Sequence, residues 1–324
     1  MPDLTQARGV YAIAPTPFTD DGAIDYPSTD RLIEFYRETG VHGITILGVM
    51  GEAPKLSDTE QKAFVAYFLR GVGGRIPVIV GVSNPGIDNL LALSNHSMAA
   101  GAAGVMIAGI PGLRNDDQIL AYFTNVFERL GSDVPVCLQD YPPSTTVYVS
   151  TSLINRLIND FLAIKMFKHE DWPGYRKLSS LHSAMQSGKM RRVSILTGNG
   201  GICMPQEMLR GADGIMTGLA FPEMLVEVYN LFADGQAEKA EDLYDLYLPF
   251  IRHEQQIGIG LAIRKETFRM RSVLRSAKLR DPGPALDSRD VEELRRLLAR
   301  LKRKLQSARL PVPSGLEELQ PAGV

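Results

Sequence analysis

A chain of 324 residues, 44% hydrophobic and 22% charged, has the composition of an ordinary soluble globular protein with room for one large domain or two small ones. Its formal net charge of −2 supplies no basic field, which argues against nucleic acid or an anionic membrane as partner. No apolar stretch approaches the roughly 20 residues that span a bilayer. The opening residues lack the order of a secretory signal, and two cysteines, Cys137 and Cys203, make neither a disulfide framework nor a zinc pattern, so a reducing cytoplasm is the expected location.

Taken in chain order, short apolar and β-branched runs recur at 10–15, 43–48, 77–82, 104–110, 135–141, 161–167, 193–199 and 214–219. Stretches with 3.6-residue periodicity lie between them, several opening on a capping residue such as Ser57 or Asp116 and closing near Gly40, Gly71, Gly101 and Gly131. The runs are almost continuously apolar rather than alternating, as parallel strands covered on both faces must be. Eight strand–helix units in about 220 residues fit a (β/α)8 TIM barrel. A doubly wound sheet would carry a phosphate-binding glycine loop after its first strand, and "PTPFTDDGAID" is no such loop. Beyond residue 222 only helical patterns follow. The expected organisation is therefore a barrel over 1–235, a C-terminal helical appendix over 236–306 and a mobile tail over 307–324.

Chemistry in such a barrel belongs at the C-terminal ends of the strands. Of the eleven lysines, only Lys165 falls inside one of the eight predicted runs, in "FLAIKMF" (161–167). A closed barrel has no edge from which that ammonium could reach water, so it is either paired for structural reasons or kept in a dry pocket. Desolvation lowers a lysine pKa and makes the amine nucleophilic, able to condense with a ketone to an imine that serves as an electron sink. Lys165 is therefore the expected nucleophile. Backbone at Gly48, Val49 and Met50, after the second strand, is expected to hold a substrate carboxylate. Gln139, Asp140 and Tyr141 end the fifth strand, with Tyr141 or Gln139 as proton shuttle. Gly198 and Asn199 at the end of the seventh run, and Met216 in the eighth, complete the expected binding residues.

These residues resemble the pyruvate-dependent class I aldolase family of 4-hydroxy-tetrahydrodipicolinate synthase and N-acetylneuraminate lyase over roughly residues 8 to 300. "APTPF" (14–18) is similar to its opening strand, "GVMGEAPKLSDTE" (48–60) to its GTTGE segment, "AIK" (163–165) to its Schiff-base lysine strand and "GNGG" to the loop after strand seven. The resemblance implies a barrel with C-terminal helices, a homotetramer and Lys165 as the imine-forming residue; no cofactor is expected, because the sequence carries no cofactor fingerprint, and no metal. Four departures stand out. The paired threonines are Val49 and Met50, the tyrosine of the YNxP motif aligns with Gln139, the arginine that holds the aldehyde's carboxylate falls at Ser144, and "IAGIPG" lacks the tyrosine of the PYY segment. "QDYP" (139–142) instead resembles the QDxP segment of 2-keto-3-deoxy sugar-acid dehydratases, as "LPFIRHEQQIGIG" resembles their C-terminal region, although the glutamate expected two residues after the lysine would be Phe167.

The reading that follows is a Schiff-base lyase acting on a small 2-oxo acid, either a dehydratase of a 3-deoxy-2-oxo sugar acid or a pyruvate aldolase. The dipicolinate-forming synthase and a silent 2-oxo-acid-binding barrel are the alternatives. A metal-dependent aldolase would have to use "KHED" (168–171), where His169, Glu170 and Asp171 are expected in a loop unable to share an ion, while the other histidines lack ligand spacing.

Overall fold

The computed structural model describes residues 2–172 and 174–317. In chain order the elements are β1 (Gly9–Ile13), α1 (Tyr26–Glu38), β2 (Gly43–Ile46), α2 (Asp58–Val72), β3 (Val78–Gly81), α3 (Ile87–Ala99), β4 (Gly104–Ala108), α4 (Asp116–Leu130) and β5 (Val136–Asp140). The short α5 (Pro142–Thr145), α6 (Thr151–Asp160), β6 (Ile164–His169), α7 (Tyr175–Gln186), β7 (Ser194–Thr197), α8 (Met204–Leu209), β8 (Gly214–Thr217) and α9 (Pro222–Ala233) follow. Helices α10 (Ala237–Glu254), α11 (Gly260–Met270) and α12 (Ser288–Ser307) end the order. The eight strands close into one parallel barrel, β1 pairing with both β2 and β8. The expected TIM barrel with a helical appendix is what the chain forms, and α9 is its eighth helix.

Two apolar layers explain why the strands read as unbroken hydrophobic runs. One face of each strand packs on the surrounding helices, with Val10, Ile44, Val80, Ile107, Leu138 and Phe167 in that layer. The other face fills the barrel interior with Tyr11, Ile13, Ile79, Met106, Cys137, Met166, Leu196 and Met216, closed from below by Leu4 and Ala7. The interior is thus packed through its lower part, and space remains only at the mouth where the strands end.

Local signals work as the sequence suggests, shifted by a residue or two. Ser57 caps α2 through a reciprocal box with Glu60. The cap of α4 is Asn115 rather than Asp116, because the Asn115 side chain accepts from Gln118 N. Helix α2 runs past Gly71 to a left-handed Gly73. The expected tail is also shorter than its composition implies. Leu316 is fully buried and Arg271 Nε donates to Ser314 O at 3.0 Å, so residues up to 317 pack on the body, while 318–324 lie outside the described residues.

Candidate active site

Strand β6 decides the site. The apolar run stops at Phe167, but the ladder continues two residues further: Gln139 on β5 pairs with Lys168, Asp140 with His169, and Lys168 also pairs with Leu196 on β7. At the other end, Val136 pairs with Ile164 and Cys137 with Met166, so Lys165 is the extra residue of a bulge. The bulge resets alternation. Met166, Lys168 and Glu170 face the barrel axis, whereas Phe167 and His169 face the helices.

Lys165 therefore is not in the site. It is half-buried at the start of β6, near the N-terminal mouth. There it neighbours Asp3, whose carboxyl is held below its usual range by hydrogen bonds from Thr5 and, more weakly, by the Lys165 ammonium. The expectation that Lys165 is the nucleophile is corrected on this ground: it stands at the end of the strand opposite to the cavity.

Lys168, and not Lys165, occupies the position expected of the nucleophile. It is 2% exposed and lines a cavity of about 520 Å³ at the C-terminal mouth. Its Nζ lies 2.9 Å from Glu170 Oε2, and Gln139 Nε2 donates to that same oxygen at 2.7 Å. The other carboxylate oxygen accepts from Asn199 N at 3.3 Å. The "GNGG" loop supports this arrangement by close approach, since a Cβ on Gly198 would lie 2.1 Å from Glu170 Oε1. Asn199 Nδ2 also donates to Glu170 O, and Gly200 N to Thr217 Oγ1 at 2.7 Å, which ties β6, β7 and β8 together at the mouth. A lysine and a carboxylate so deeply buried are tolerable only because each is the other's partner and both are further hydrogen-bonded.

The remaining expected residues divide. Gln139, Tyr141, Val49, Met50 and Asn199 line the same cavity as Lys168. Burial, aided by the nearby Glu170 charge and opposed by Arg264, pushes the Tyr141 phenol up to about 12, so at neutral pH it can give a proton but not take one. Gly48 faces inward below the cavity, where a Cβ would meet Ile13 and Met106. Met216 is buried in the barrel interior beside Cys137 Sγ and belongs to the packing under the cavity.

Asp140 does not join them. Alternation turns it outward beneath α7, where Lys177 Nζ donates to it at 2.6 Å; burial pushes its carboxyl up to about 6, opposed by Lys177. Its expected role at the substrate is corrected accordingly. His169 also faces outward, its Nε2 donating to Gly174 O at 3.0 Å, with burial lowering its pKa. His169 and Glu170 thus lie on opposite sides of the sheet wall and cannot share an ion.

Val49 and Met50 begin a one-turn 3-10 helix, Val49–Gly51, whose first amides have no partner inside the turn. Thr16 Oγ1 donates to Gly51 O at 2.7 Å and holds the turn against the loop after β1. Next along the chain, the buried Glu52 accepts from Lys265 Nζ at 2.6 Å, Lys55 Nζ at 2.9 Å and Arg280 N at 3.0 Å. This ties the turn to the C-terminal helices. Those helices also send Glu254, Gln255 and Arg264 into the wall of the cavity.

The sequence reading missed Lys168, Glu170 and Arg264. For the first two a signal existed: Met166, Lys168 and Glu170 recur with period two, the spacing of one face of a strand. Arg264 had none, because its position follows from how α11 folds back over the barrel.

A model of the dihydrodipicolinate synthetase family matches residues 6–301. The chain belongs to that family. An L-2-keto-3-deoxyarabonate dehydratase of Azospirillum brasilense is 28% identical over 298 residues, covering 91% of this chain and 94% of that one. A 4-hydroxy-tetrahydrodipicolinate synthase of Methanothrix thermoacetophila is 28% identical over 250 residues, 76% of this chain and 81% of its own. Among solved structures, one titled dihydrodipicolinate synthase from Rhodopseudomonas palustris superposes with a TM-score of 0.89 at 47% identity, covering 91% of this chain and 98% of that one. As a dihydrodipicolinate synthetase family member the chain is a lyase that acts on small molecules. No helix among its described residues is long and apolar enough to cross a membrane.

Proposed function

We propose that this lyase dehydrates a 3-deoxy-2-oxo sugar acid through a Schiff base on Lys168. The observation that carries the proposal is the Lys168–Glu170 pair with Gln139 on the same carboxylate oxygen, enclosed at the strand ends. Counted from Lys168, the glutamate two residues on is present, which removes the departure that counting from Lys165 created. The match to the A. brasilense dehydratase extends over 298 residues against 250 for the synthase, which also supports this branch.

The chemistry runs as follows. Lys168 gives a proton to Glu170 and its amine attacks the C2 carbonyl; Glu170 passes that proton to the carbinolamine hydroxyl, which leaves as water, so that a protonated imine and an ionised Glu170 remain. The first amides of the Val49–Gly51 turn receive the C1 carboxylate. With C2 now an electron sink, Glu170 takes a proton from C3, and the electrons return through the enamine to expel the C4 hydroxyl as water. Tyr141 or the protonated Glu170 supplies the proton that the departing hydroxyl needs. Gln139 holds the Glu170 carboxylate toward C3. Hydrolysis of the imine frees the product and the lysine, so the balance is one water lost per turnover. Assembly as a homotetramer and a cytoplasmic location belong to the same reading, supported by the family resemblance and by two buried free cysteines.

The test is turnover. The protein is given a set of 3-deoxy-2-oxo aldonic acids and, separately, pyruvate with aspartate semialdehyde, and products are followed by NMR. Loss of the C4 hydroxyl with Lys168 required supports the dehydratase. Condensation at a comparable or higher rate transfers the assignment to a synthase, the reading that the name of the R. palustris structure favours. An imine that forms with neither outcome leaves a binding protein.

A further inference from the structure

The Lys168–Glu170 ion pair is spent in the reaction, because an ammonium has three N–H donors and a protonated imine keeps one. Glu170 must then stay aimed at C3 from the very end of the sheet. It lies one residue past β6, and its N–H makes the last bond of the β5–β6 ladder, to Asp140 O at 2.9 Å. On the opposite face of the barrel wall the same two strand ends are held together a second time. Lys177 Nζ donates to Asp140 Oδ2 at 2.6 Å and to Asp171 Oδ2 at 3.0 Å. Asp140 follows Gln139 in the chain and Asp171 follows Glu170, so the ion bridge behind the wall duplicates the Gln139–Glu170 bond in front of it.

Lys177 stands in the first turn of α7, where the helix dipole disfavours a cation, and its side chain is only 11% exposed. Its partners, not its helix, account for its position. A tie that merely seated α7 on the barrel would end at the buried Asp140; this one reaches on to Asp171. The chain between is closed tightly: His169 Nε2 donates to Gly174 O at 3.0 Å, and a Cβ on Gly174 would lie 2.2 Å from Asp171 O. Resting on the Schiff-base reading above, we infer that Lys177 is a positioning residue for the general base. By bridging Asp140 and Asp171 behind the wall, it keeps the Glu170 carboxylate aligned with C3 after Lys168 has become the imine. Lys177 touches neither the substrate nor a reacting atom, and its effect passes through the backbone of residues 170 and 171. A misplacement of about 1 Å is enough to cost on the order of 10²-fold in rate. The equilibrium extent of imine formation does not depend on that alignment.

The experiment uses pyruvate, whose methyl carbon is C3. In D2O the base takes a proton from C3 of the imine, the enamine takes back a deuteron, and the loss of the methyl proton signal is followed by NMR. Borohydride trapping on Lys168 measures the imine in the same samples. Asp171→Ala cuts the bridge and leaves the buried Asp140–Lys177 pair whole. Lys177→Met is made together with Asp140→Asn, so that no buried charge is left unpaired. Both variants are expected to exchange roughly ten- to hundredfold more slowly than the wild type, with the trapped fraction almost unchanged. Lys177→Arg should retain most of the rate, since a guanidinium can also span two carboxylates. Exchange at the wild-type rate in both variants overturns the inference, as does a loss confined to the double variant, which would move the effect to Asp140. A trapped fraction that falls in step with exchange makes the bridge structural only and overturns it too. A wild type that traps pyruvate without exchanging it removes Glu170 as the base, and the inference with it. Absence of trapping in the wild type is the separate failure of the Schiff-base reading itself.

Discussion

Lys168 Nζ stands 2.9 Å from Glu170 Oε2, while His169, the residue between them in the chain, faces the helices on the other side of the barrel wall. A strand that alternates faces can place a nucleophile and a base two residues apart within one hydrogen bond of a shared reacting atom. Reduction of the pyruvate adduct should therefore mark the peptide carrying Lys168. Both lysines lie close together in sequence, so the control matters: Lys168→Ala should abolish the adduct, and Lys165→Ala should leave it intact. Loss of the adduct in the Lys165 variant, with the fold unchanged by circular dichroism, would place the imine on the wrong lysine here.

Glu170→Gln keeps the shape of the side chain and removes the base. The variant should still accumulate a trapped imine but lose turnover by about 10²–10⁴-fold, the usual worth of a positioned general base. Gln139→Leu, which deletes the donor that holds the carboxylate, should lower kcat less and leave KM nearly unchanged. Single-turnover kinetics with a 3-deoxy-2-oxo acid separate imine formation from the later step. Full activity of Glu170→Gln would remove Glu170 from the mechanism.

Glu207, on α8, is buried with Oε2 lacking a partner. Burial raises its carboxyl to about 7, against a lowering by the Thr197 hydroxyl, from an ordinary 4.5. A carboxyl raised on folding binds its proton more tightly in the folded chain, so its contribution to stability is present below pH 4.5 and is lost as pH rises through 7. The stability of Glu207→Gln relative to the wild type should accordingly climb between pH 4.5 and 7 and level off above. The full swing should be roughly 3 kcal/mol at most. Denaturant midpoints at a series of pH values measure it, and parallel curves for the two proteins would contradict the assignment.

Lys265 has no exposed surface, pairs with Glu52 at 2.6 Å and also donates to Lys278 O at 3.0 Å. Burial lowers its pKa to about 8, with Glu52 pulling the other way. Replacing it by Met leaves the Glu52 carboxylate buried and short of a partner, a change expected to cost roughly 3–5 kcal/mol. Lys55→Ala, at the more exposed arm of the same cluster, should cost well under half as much. Urea unfolding of both variants decides it; equal losses would mean that the cluster does not anchor the C-terminal helices through Lys265.

Much of this was legible before any coordinate. Seven of the eight apolar runs both begin and end within two residues of the observed strands, because burial on two faces imprints itself on consecutive residues. Gln139 and Tyr141 were readable as site residues since they end such a run, and Val49 and Met50 since they follow one. Asp140 was misplaced for a reason of parity: next to Gln139 on a strand, it must face the other way. Lys168 escapes notice because it lies one residue beyond the apolar run 161–167, although in a barrel the residues past the apolar stretch are the ones that meet the substrate.

The sequence by itself determined the class of fold, the family and the end of the barrel where chemistry happens, since each rests on periodicities and short motifs that act locally. Only the tertiary structure decided which of two lysines three residues apart faces the cavity. That choice depends on a bulge opposite Val136 and on the reach of the β6 ladder along β5 and β7, both set by pairing between strands rather than by β6 alone. The same holds for Arg264, which lies 96 residues beyond Lys168 in the chain and shares its cavity only because α11 folds back over the mouth.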